Sequence, residues 1–167
     1  LVALEEGVDT AWSQVEIVYQ RRADLIPNLV ETVKGAAQFE QETFTAVAEA
    51  RSKVNEINID GVPDAAQLQQ FQAAQDELSS ALSRLLVTVE RYPELTATQA
   101  FRDLQAQLEG TENRISVERK RFNEAVQAYN TARRQVPTNL YAMAFGFEEK
   151  TYFAASPGAE EAPKVEF

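Results

Sequence analysis

Arg22, Thr111 and Glu118 stand out because each occupies a position where the helical pattern of the chain calls for an apolar side chain. A charge that faces a helical core is costly unless it is paired and hydrogen-bonded. We therefore expect Arg22 to pair with a carboxylate of the helix that carries Glu118, with Glu118 as the first candidate. Asn28 and Glu112 lie on the same two predicted helices, and the candidate buried polar network consists of Arg22, Asn28, Glu112 and Glu118.

Two roles are open to this network. It could fix the register of a helical bundle and do no chemistry, which is the interpretation that we favour. The alternative is a pocket for a ligand or an ion.

The chemistry of any such pocket is limited, because the chain contains no histidine and no cysteine. Ser-His-Asp triads, cysteine nucleophiles and histidine general bases are therefore excluded. Cys/His zinc sites, haem held by histidine and iron–sulfur clusters are excluded as well, and so are the Glu-x-x-His di-metal sites of helical bundles. An oxygen-ligated Mg²⁺ or Ca²⁺ ion remains possible, but the turn at Asp60–Asp64 lacks the spacing of an EF-hand loop. We predict no metal, no cofactor and no enzymatic activity.

The elements that must position these residues are amphipathic helices, because apolar residues recur at spacings of three and four. The first pattern runs from Val8 to Val33 without losing register at Pro27, which favours a kinked helix over an interrupted one. This helix is expected to end at Gly35, and a second, shorter helix is expected to begin near Glu40.

Two more helices follow. Asp64 is a plausible N-cap for the third helix. The fourth is predicted to start just after Pro93, with Thr96 or Thr98 as its cap, and to extend to Val136. Four amphipathic helices joined by short turns predict an all-α fold, namely an antiparallel four-helix bundle with long helices.

The charge is strongly negative, with a formal net charge of −10. This balance argues against nucleic-acid binding, which needs clustered Lys and Arg. Residues 111–134 are the exception, since they carry six basic residues against three acidic ones. We favour a helix face that is paired with acidic neighbours inside the bundle. The alternative is a patch for acidic lipid or a partner.

We divide the chain into a bundle over residues 1–136 and an irregular C-terminal tail over residues 137–167. The tail is rich in aromatic residues, and exposing them would be costly, so we expect it to fold back over the bundle. The alternative is a partner-binding segment at Val165, Glu166 and Phe167, which a peptide-binding domain could capture by strand addition.

No apolar stretch of the chain approaches the length of about 20 residues that a membrane-spanning helix needs. Residue 1 is Leu rather than Met, and we expect a further N-terminal segment to precede it.

Residues 21–35, with the sequence RRADLIPNLVETVKG, resemble the signature of the LemA family. The similarity extends over nearly the whole chain. It includes Ala11-Trp12-Ser13, Glu49-Ala50-Arg51, residues 104–115, residues 122–126, Phe145-Gly146-Phe147 and the ending at 162–167. Where similar sequences often have His-Glu, this chain has Phe39-Glu40, which weakens any proposal of proton or metal chemistry there.

The resemblance implies a four-helix bundle that follows an N-terminal membrane anchor, either a transmembrane helix or a lipid-modified cysteine, in the bacterial cell envelope. It implies no catalytic residues. We therefore expect a non-enzymatic, membrane-tethered domain that acts by protein–protein interaction or self-assembly. Its partners would be the membrane and a protein, with a second copy of the chain as one candidate. The alternative is a regulatory or adaptor subunit of an envelope enzyme such as a membrane protease.

Overall fold

The computed structural model of the protein describes residues 1–34, 41–135 and 137–154. The secondary structure within these ranges is entirely helical, which confirms the all-α prediction. The helices are α1 (Val2–Lys34), α2 (Gln41–Glu56), α3 (Ala65–Val89), α4 (Pro93–Thr96), α5 (Gln99–Arg134) and α6 (Thr138–Phe145).

Helix α1 is continuous through Pro27. Ile26 and Leu29 flank the proline and are 2 % and 0 % exposed, so the buried face of the helix keeps its register across it. The predicted helix end at Gly35 and helix start at Glu40 lie outside the described residues.

The predicted cap of α3 is confirmed. The Asp64 carboxylate accepts a hydrogen bond from the Gln67 backbone N–H, and the Gln67 side chain accepts one from the Asp64 N–H. This reciprocal pair satisfies two of the N–H groups that a helix start leaves without a partner.

The segment after Pro93 is not one helix, as the sequence pattern predicted, but two. Residues Pro93–Thr96 form the single turn α4, and the extended backbone of Thr98 separates it from α5. The Thr98 hydroxyl accepts from the Phe101 N–H, so Thr98 is the N-cap of the long helix. The Thr96 hydroxyl donates back to the Pro93 carbonyl inside α4.

Helices α1 and α5 lie side by side and run antiparallel to each other. The rings of Trp12 on α1 and Phe122 on α5 lie 5.5 Å apart. Arg22, ten residues after Trp12, pairs with Glu112, which lies ten residues before Phe122. Helix α2 runs beside α3, where Lys53 pairs with Glu77 at 2.9 Å.

The core has two parts, which we call the four-helix end and the three-helix end. Residues from α1, α2, α3 and α5, with Leu95 of α4, build the four-helix end: Ile26, Leu29, Val33, Val47, Ala50, Leu78, Ala81, Leu82, Leu85, Val89, Leu95, Phe101 and Leu108. The three-helix end contains residues of α1, α3 and α5 together with Phe153: Val8, Trp12, Val15, Val18, Tyr19, Leu68, Phe71, Ile115, Phe122, Val126, Tyr129 and Phe153.

The difference follows from the length of α2. It has 16 residues, against 33 in α1 and 36 in α5, so it ends partway along the bundle. Partly buried Ile57, Ile59 and Val62 of the connection to α3 pack against the three-helix end in its place.

Part of the predicted irregular tail is helical, because residues Thr138–Phe145 form helix α6. Gly146 ends this helix with φ of 73°, in the left-handed region that favours glycine. The Phe147 N–H donates to the Ala142 carbonyl at 2.9 Å, and the chain then turns back along the bundle.

Candidate functional site

Arg22 lies on α1, is 1 % exposed, and joins three helices. Its Nη1 donates to Glu112 Oε1 of α5 at 3.0 Å and to Ser79 Oγ of α3 at 2.5 Å. Its Nη2 donates to the Gln75 carbonyl at 3.0 Å and to Gln75 Oε1 at 2.7 Å. The guanidinium carbon also lies 5.2 Å from the centre of the Tyr19 ring. This buried charge therefore ties α1, α3 and α5 together.

The partner of Arg22 is Glu112 and not Glu118, the first candidate from the sequence. Glu118 is 4 % exposed and accepts a hydrogen bond from Arg121, one turn further along its own helix. The antiparallel register explains the difference, since the contact between Trp12 and Phe122 puts Arg22 level with Glu112. Glu118 lies six residues, or about 9 Å, further along α5.

The other predicted positions are not part of the network. Asn28 is exposed, and its carbonyl accepts from the Thr32 hydroxyl within α1. Thr111 is buried, but its hydroxyl donates to the Gln107 carbonyl within α5. The structure therefore brings together Arg22 and Glu112 out of the predicted set.

The positive charge of buried Arg22 is balanced by the carboxylate of Glu112. Glu112 is 45 % exposed, so the carboxylate stays partly hydrated while it neutralises the buried guanidinium. Among the described residues, no group of three or more carboxylates could hold a metal ion. We interpret the arrangement as one that fixes the register of the three helices.

A second set of polar side chains, which sequence reasoning did not assign to a site, holds residues 147–154 against the three-helix end. We call it the polar clamp, and it consists of Gln72, Arg119, Asn123, Tyr129, Asn130 and Arg133.

Two amides of the clamp each bind both main-chain groups of one residue. Asn130 donates to the Lys150 carbonyl at 3.0 Å and accepts from the Lys150 N–H at 2.9 Å. Gln72 does the same at Ala154, donating at 3.0 Å and accepting at 3.1 Å. Arg119 adds a donor to the Ala154 carbonyl at 3.3 Å. Each amide thus replaces the pair of hydrogen bonds that a neighbouring β-strand would make.

Two further donors hold the beginning of the segment. Arg133 Nε donates to the Phe147 carbonyl and the Tyr129 hydroxyl donates to the Glu148 carbonyl, each at 2.8 Å. Burial raises the pKa of the Tyr129 hydroxyl above its usual value, and the nearby charge of Glu5 raises it further. Tyr129 therefore remains a neutral donor at neutral pH.

Phe153 is the apolar anchor of the segment. Its ring is 6 % exposed and lies 5.4 Å from the Phe122 ring and 6.2 Å from the Trp12 ring. The Arg119 guanidinium covers it at 4.7 Å, and the Phe153 N–H donates to Asn123 Oδ1 at 2.8 Å. This one side chain enters the core, while the clamp binds the main chain around it.

The geometry of the clamp is that of an extended chain lying antiparallel to α5. The α5 contacts run from Arg133 back to Arg119 as the segment runs from Phe147 to Ala154. Fourteen helical residues cover about 21 Å and seven extended residues cover about 23 Å. Because the two lengths match, each clamp residue meets the main chain in turn.

Most of the basic residues between positions 111 and 134 of α5 contact other residues of the same chain. Arg119 and Arg133 belong to the clamp, and Arg119 also lies 4.0 Å from the Asp76 carboxylate. Arg121 pairs with Glu118, and Arg134 contacts Glu149. These contacts agree with the interpretation of a helix face paired within the bundle.

Helix α6 presents a different surface. It contains no charged residue, and Leu140, Tyr141, Met143 and Phe145 are 64 %, 60 %, 80 % and 73 % exposed. Its one buried residue is Ala142. Adjacent exposed apolar side chains of this size are typical of an interaction surface.

No helix within the described ranges is both long enough and apolar enough to cross a membrane. The predicted partner-binding residues Val165, Glu166 and Phe167 lie outside those ranges, as does Phe39.

The sequence matches the LemA family over residues 11–167. The chain belongs to this family. It is 26 % identical over 178 residues to the magnetosome proteins MamQ 1 and MamQ 2 of Paramagnetospirillum magneticum, an alignment that covers 95 % of this chain and 65 % of each relative. It is 22 % identical over 152 residues to Protein LemA of Metamycoplasma hominis, covering 91 % of this chain and 66 % of that protein. The chain thus spans about two thirds of the length of these curated relatives.

Sequence reasoning on this LemA-family chain missed the α3 residues of both sites. Gln75 had a recognisable signal, because it lies four residues after Phe71 and three before Leu78, where the apolar pattern calls for a core residue. Gln72 had none, since its partner Ala154 lies 82 residues away and is bound through its main chain.

Proposed function

We propose that this chain is a non-catalytic, membrane-associated domain that acts by binding a second copy of itself. The observation that carries the proposal is the uncharged, exposed surface of α6. Membership of the LemA family and the similarity to magnetosome proteins support the membrane association. The relatives are also longer than the matched region, which leaves room in them for an anchoring segment.

The position of α6 suits it to contact another molecule. Gly146 ends the helix in a defined turn, and the clamp begins immediately afterwards at Phe147. The exposed side chains are therefore held at the end of the bundle where α1 begins, as the approach of Lys150 to Glu5 at 3.7 Å shows.

A second copy is the partner that the charge pattern favours. With a net charge of −10, two copies repel each other over most of their surface. A twofold contact places the same patch of each copy against the other, so a patch without charge avoids this repulsion. Helix α6 is such a patch.

The patch is small beside the roughly 800 Å² per partner of a stable interface. We therefore expect weak association in solution. Tethering to a membrane would raise the local concentration and so strengthen it without any new contact.

The test is light scattering over a range of concentrations. The average mass of the unaltered protein should rise with concentration, whereas a variant with Leu140→Ser, Met143→Ser and Phe145→Ser should stay monomeric. A matched control carries Ile17→Ser, Val87→Ser and Val117→Ser, which replace apolar residues that are 52 %, 59 % and 46 % exposed on other helices. The control should behave as the unaltered protein.

A monomer at every concentration would contradict self-assembly by this chain. Crosslinking in the anchored full-length protein then separates the remaining possibilities. A reproducible link from α6 to one defined envelope enzyme, lost in the α6 variant, would point to the adaptor function instead.

A further inference from the structure

We propose that residues 147–154 exchange between two copies of the chain, so that the segment of one copy fills the polar clamp of the other. This inference deepens the proposed self-assembly and rests on it. It specifies a contact between the two copies in addition to the packing of their α6 helices.

A second copy of the chain carries the same segment. Every hydrogen bond of the clamp runs to the main chain of residues 147–154, and Phe153 is the one side chain buried in the core. The segment of a second copy would make the same bonds and bury the same ring. Exchange of an identical element is for this reason a low-cost route to a dimer.

Gly146 provides a hinge for the exchange. Gly146 connects α6 to the clamped segment, and its φ of 73° produces the turn that directs the segment back onto its own bundle. Glycine also adopts extended conformations without strain. A change at this one residue can redirect the segment away from its own clamp and towards a neighbouring one.

The exposed surface of α6 lies next to the proposed hinge. In a reciprocal exchange the connections to the two exchanged segments pass close to each other at the twofold axis. Gly146 is that connection, and helix α6 directly before it carries Leu140, Tyr141, Met143 and Phe145 exposed. Exchange would place the two α6 helices side by side and cover these side chains.

The exchange is expected to be slow, because Phe153 must leave its place beside Trp12 and Phe122 before the segment is free. We therefore expect it to follow prolonged incubation at high concentration or refolding of a mixture, rather than brief mixing.

The absence of cysteine from the chain allows a direct test. Lys120 of α5 and Tyr152 of the segment line the same groove and are outside the clamp set. Two single variants, Lys120→Cys and Tyr152→Cys, are mixed, refolded together, concentrated and treated with a short bis-maleimide crosslinker. A crosslink between residue 120 of one chain and residue 152 of another, identified by mass spectrometry and formed in clear excess over a control pair, indicates exchange.

The matched control is the pair Lys53→Cys and Glu77→Cys, prepared and mixed in the same way. In the unaltered protein, Lys53 Nζ of α2 lies 2.9 Å from Glu77 Oε1 of α3. Both residues lie outside the exchanged segment. We expect the 120–152 link between chains at ten times the yield of the control link or more.

The outcomes separate the two proposals. A dimer by light scattering without the 120–152 link overturns exchange and leaves self-assembly through α6 in place. A monomer without the link overturns both. Equal yields from the two pairs indicate random collision or exchange of whole helices, and they overturn the proposal as well.

The hinge gives an independent test. In Gly146→Ala the left-handed turn becomes strained, and we expect the exchanged dimer to be favoured about tenfold. Gly110→Ala is the control, because Gly110 lies within α5 and has no positive φ and no atom close to the added methyl group. An unchanged dimer fraction in Gly146→Ala, measured by size-exclusion chromatography with light scattering, would overturn the proposed hinge.

Discussion

The four-helix end and the three-helix end of the bundle are covered in different ways. The four-helix end buries apolar side chains from α1, α2, α3 and α5. Among the described residues, the buried polar side chains lie level with Arg22 or beyond it, towards the three-helix end: Arg22, Gln72, Gln75, Thr111, Glu118 and Asn130.

The difference arises because helices cover the four-helix end, whereas an extended segment covers part of the three-helix end. A helix satisfies most of its own main-chain groups, so an apolar face is enough to pack it. The segment at 147–154 is extended, and its N–H and C=O groups must find partners elsewhere. Asn130 and Gln72 supply them. Covering a core with extended chain therefore calls for polar side chains at buried positions.

Truncation of a buried leucine at the four-helix end should cost more stability than loss of one clamp residue at the three-helix end. Leu85 is 0 % exposed, and Leu85→Ala should lower the free energy of unfolding by about 2–5 kcal/mol, because it removes apolar contacts and leaves a cavity. Chemical denaturation measures the change. Exposed Leu140→Ala is the control and should cost less than about 0.5 kcal/mol. Equal losses in the two variants would contradict the assignment of Leu85 to the core.

Loss of one clamp residue at the three-helix end should cost less than the Leu85 truncation and should act locally. Asn130→Ala removes both hydrogen bonds to Lys150, which should cost about 1–3 kcal/mol. Hydrogen exchange of the main-chain amides should accelerate at residues 150–154 and remain unchanged around Leu85. The control is Asn28→Ala, which changes an exposed asparagine. If Asn130→Ala accelerated exchange at both ends equally, the two ends would form one cooperative unit.

The boundary between the two ends can be tested at Arg22. Glu112→Gln removes the acidic partner of a buried guanidinium and should destabilise the protein by about 1–2 kcal/mol. Glu109→Gln, an exposed position one turn earlier on α5, is the control and should have little effect. A double variant that also carries Arg22→Met should recover part of the loss. Absence of any recovery would show that the pair is not coupled.

The smallest effect is expected in alkaline solution. Burial raises the pKa of the Tyr19 hydroxyl above 10, while Arg119 and Arg22 nearby act in the opposite direction and Asp76 adds to the rise. The stability contributed by neutral Tyr19 is present below pH 10 and is lost as the pH rises through the raised pKa. Tyr19→Phe should therefore flatten the fall in unfolding free energy above pH 10. Exposed Tyr141→Phe is the control, and an identical fall in both variants would contradict the prediction.

The helical part of this fold was readable from the sequence because it depends on local periodicity. Asp64 was identifiable as a cap, and Arg22 as a buried charge, from their positions in the apolar pattern. Glu118 was chosen over Glu112 because spacing within one helix contains no information on the register between two helices. That register is set by packing of distant residues such as Trp12 and Phe122.

The polar clamp was not predictable for a related reason. Its side chains bind main-chain atoms, which every residue possesses, so no residue type in the segment signals the contact. Lys150 and Ala154 have nothing in common that would mark them as partners of Asn130 and Gln72. Phe153 was noted within an aromatic-rich tail, but its place beside Trp12 depends on the fold.

Because the polar clamp binds main-chain atoms, it restricts the residue type at only some positions of the segment in related sequences. The N–H groups of Lys150, Phe153 and Ala154 are each bound, so proline is excluded at these positions. Position 153 further requires a large apolar ring. Phe147 is partly buried against the three-helix end, so position 147 also favours an apolar residue. At the other positions the side chain can vary while the main-chain contacts persist, so relatives that keep this architecture need share little more than two apolar positions and a pattern of excluded prolines.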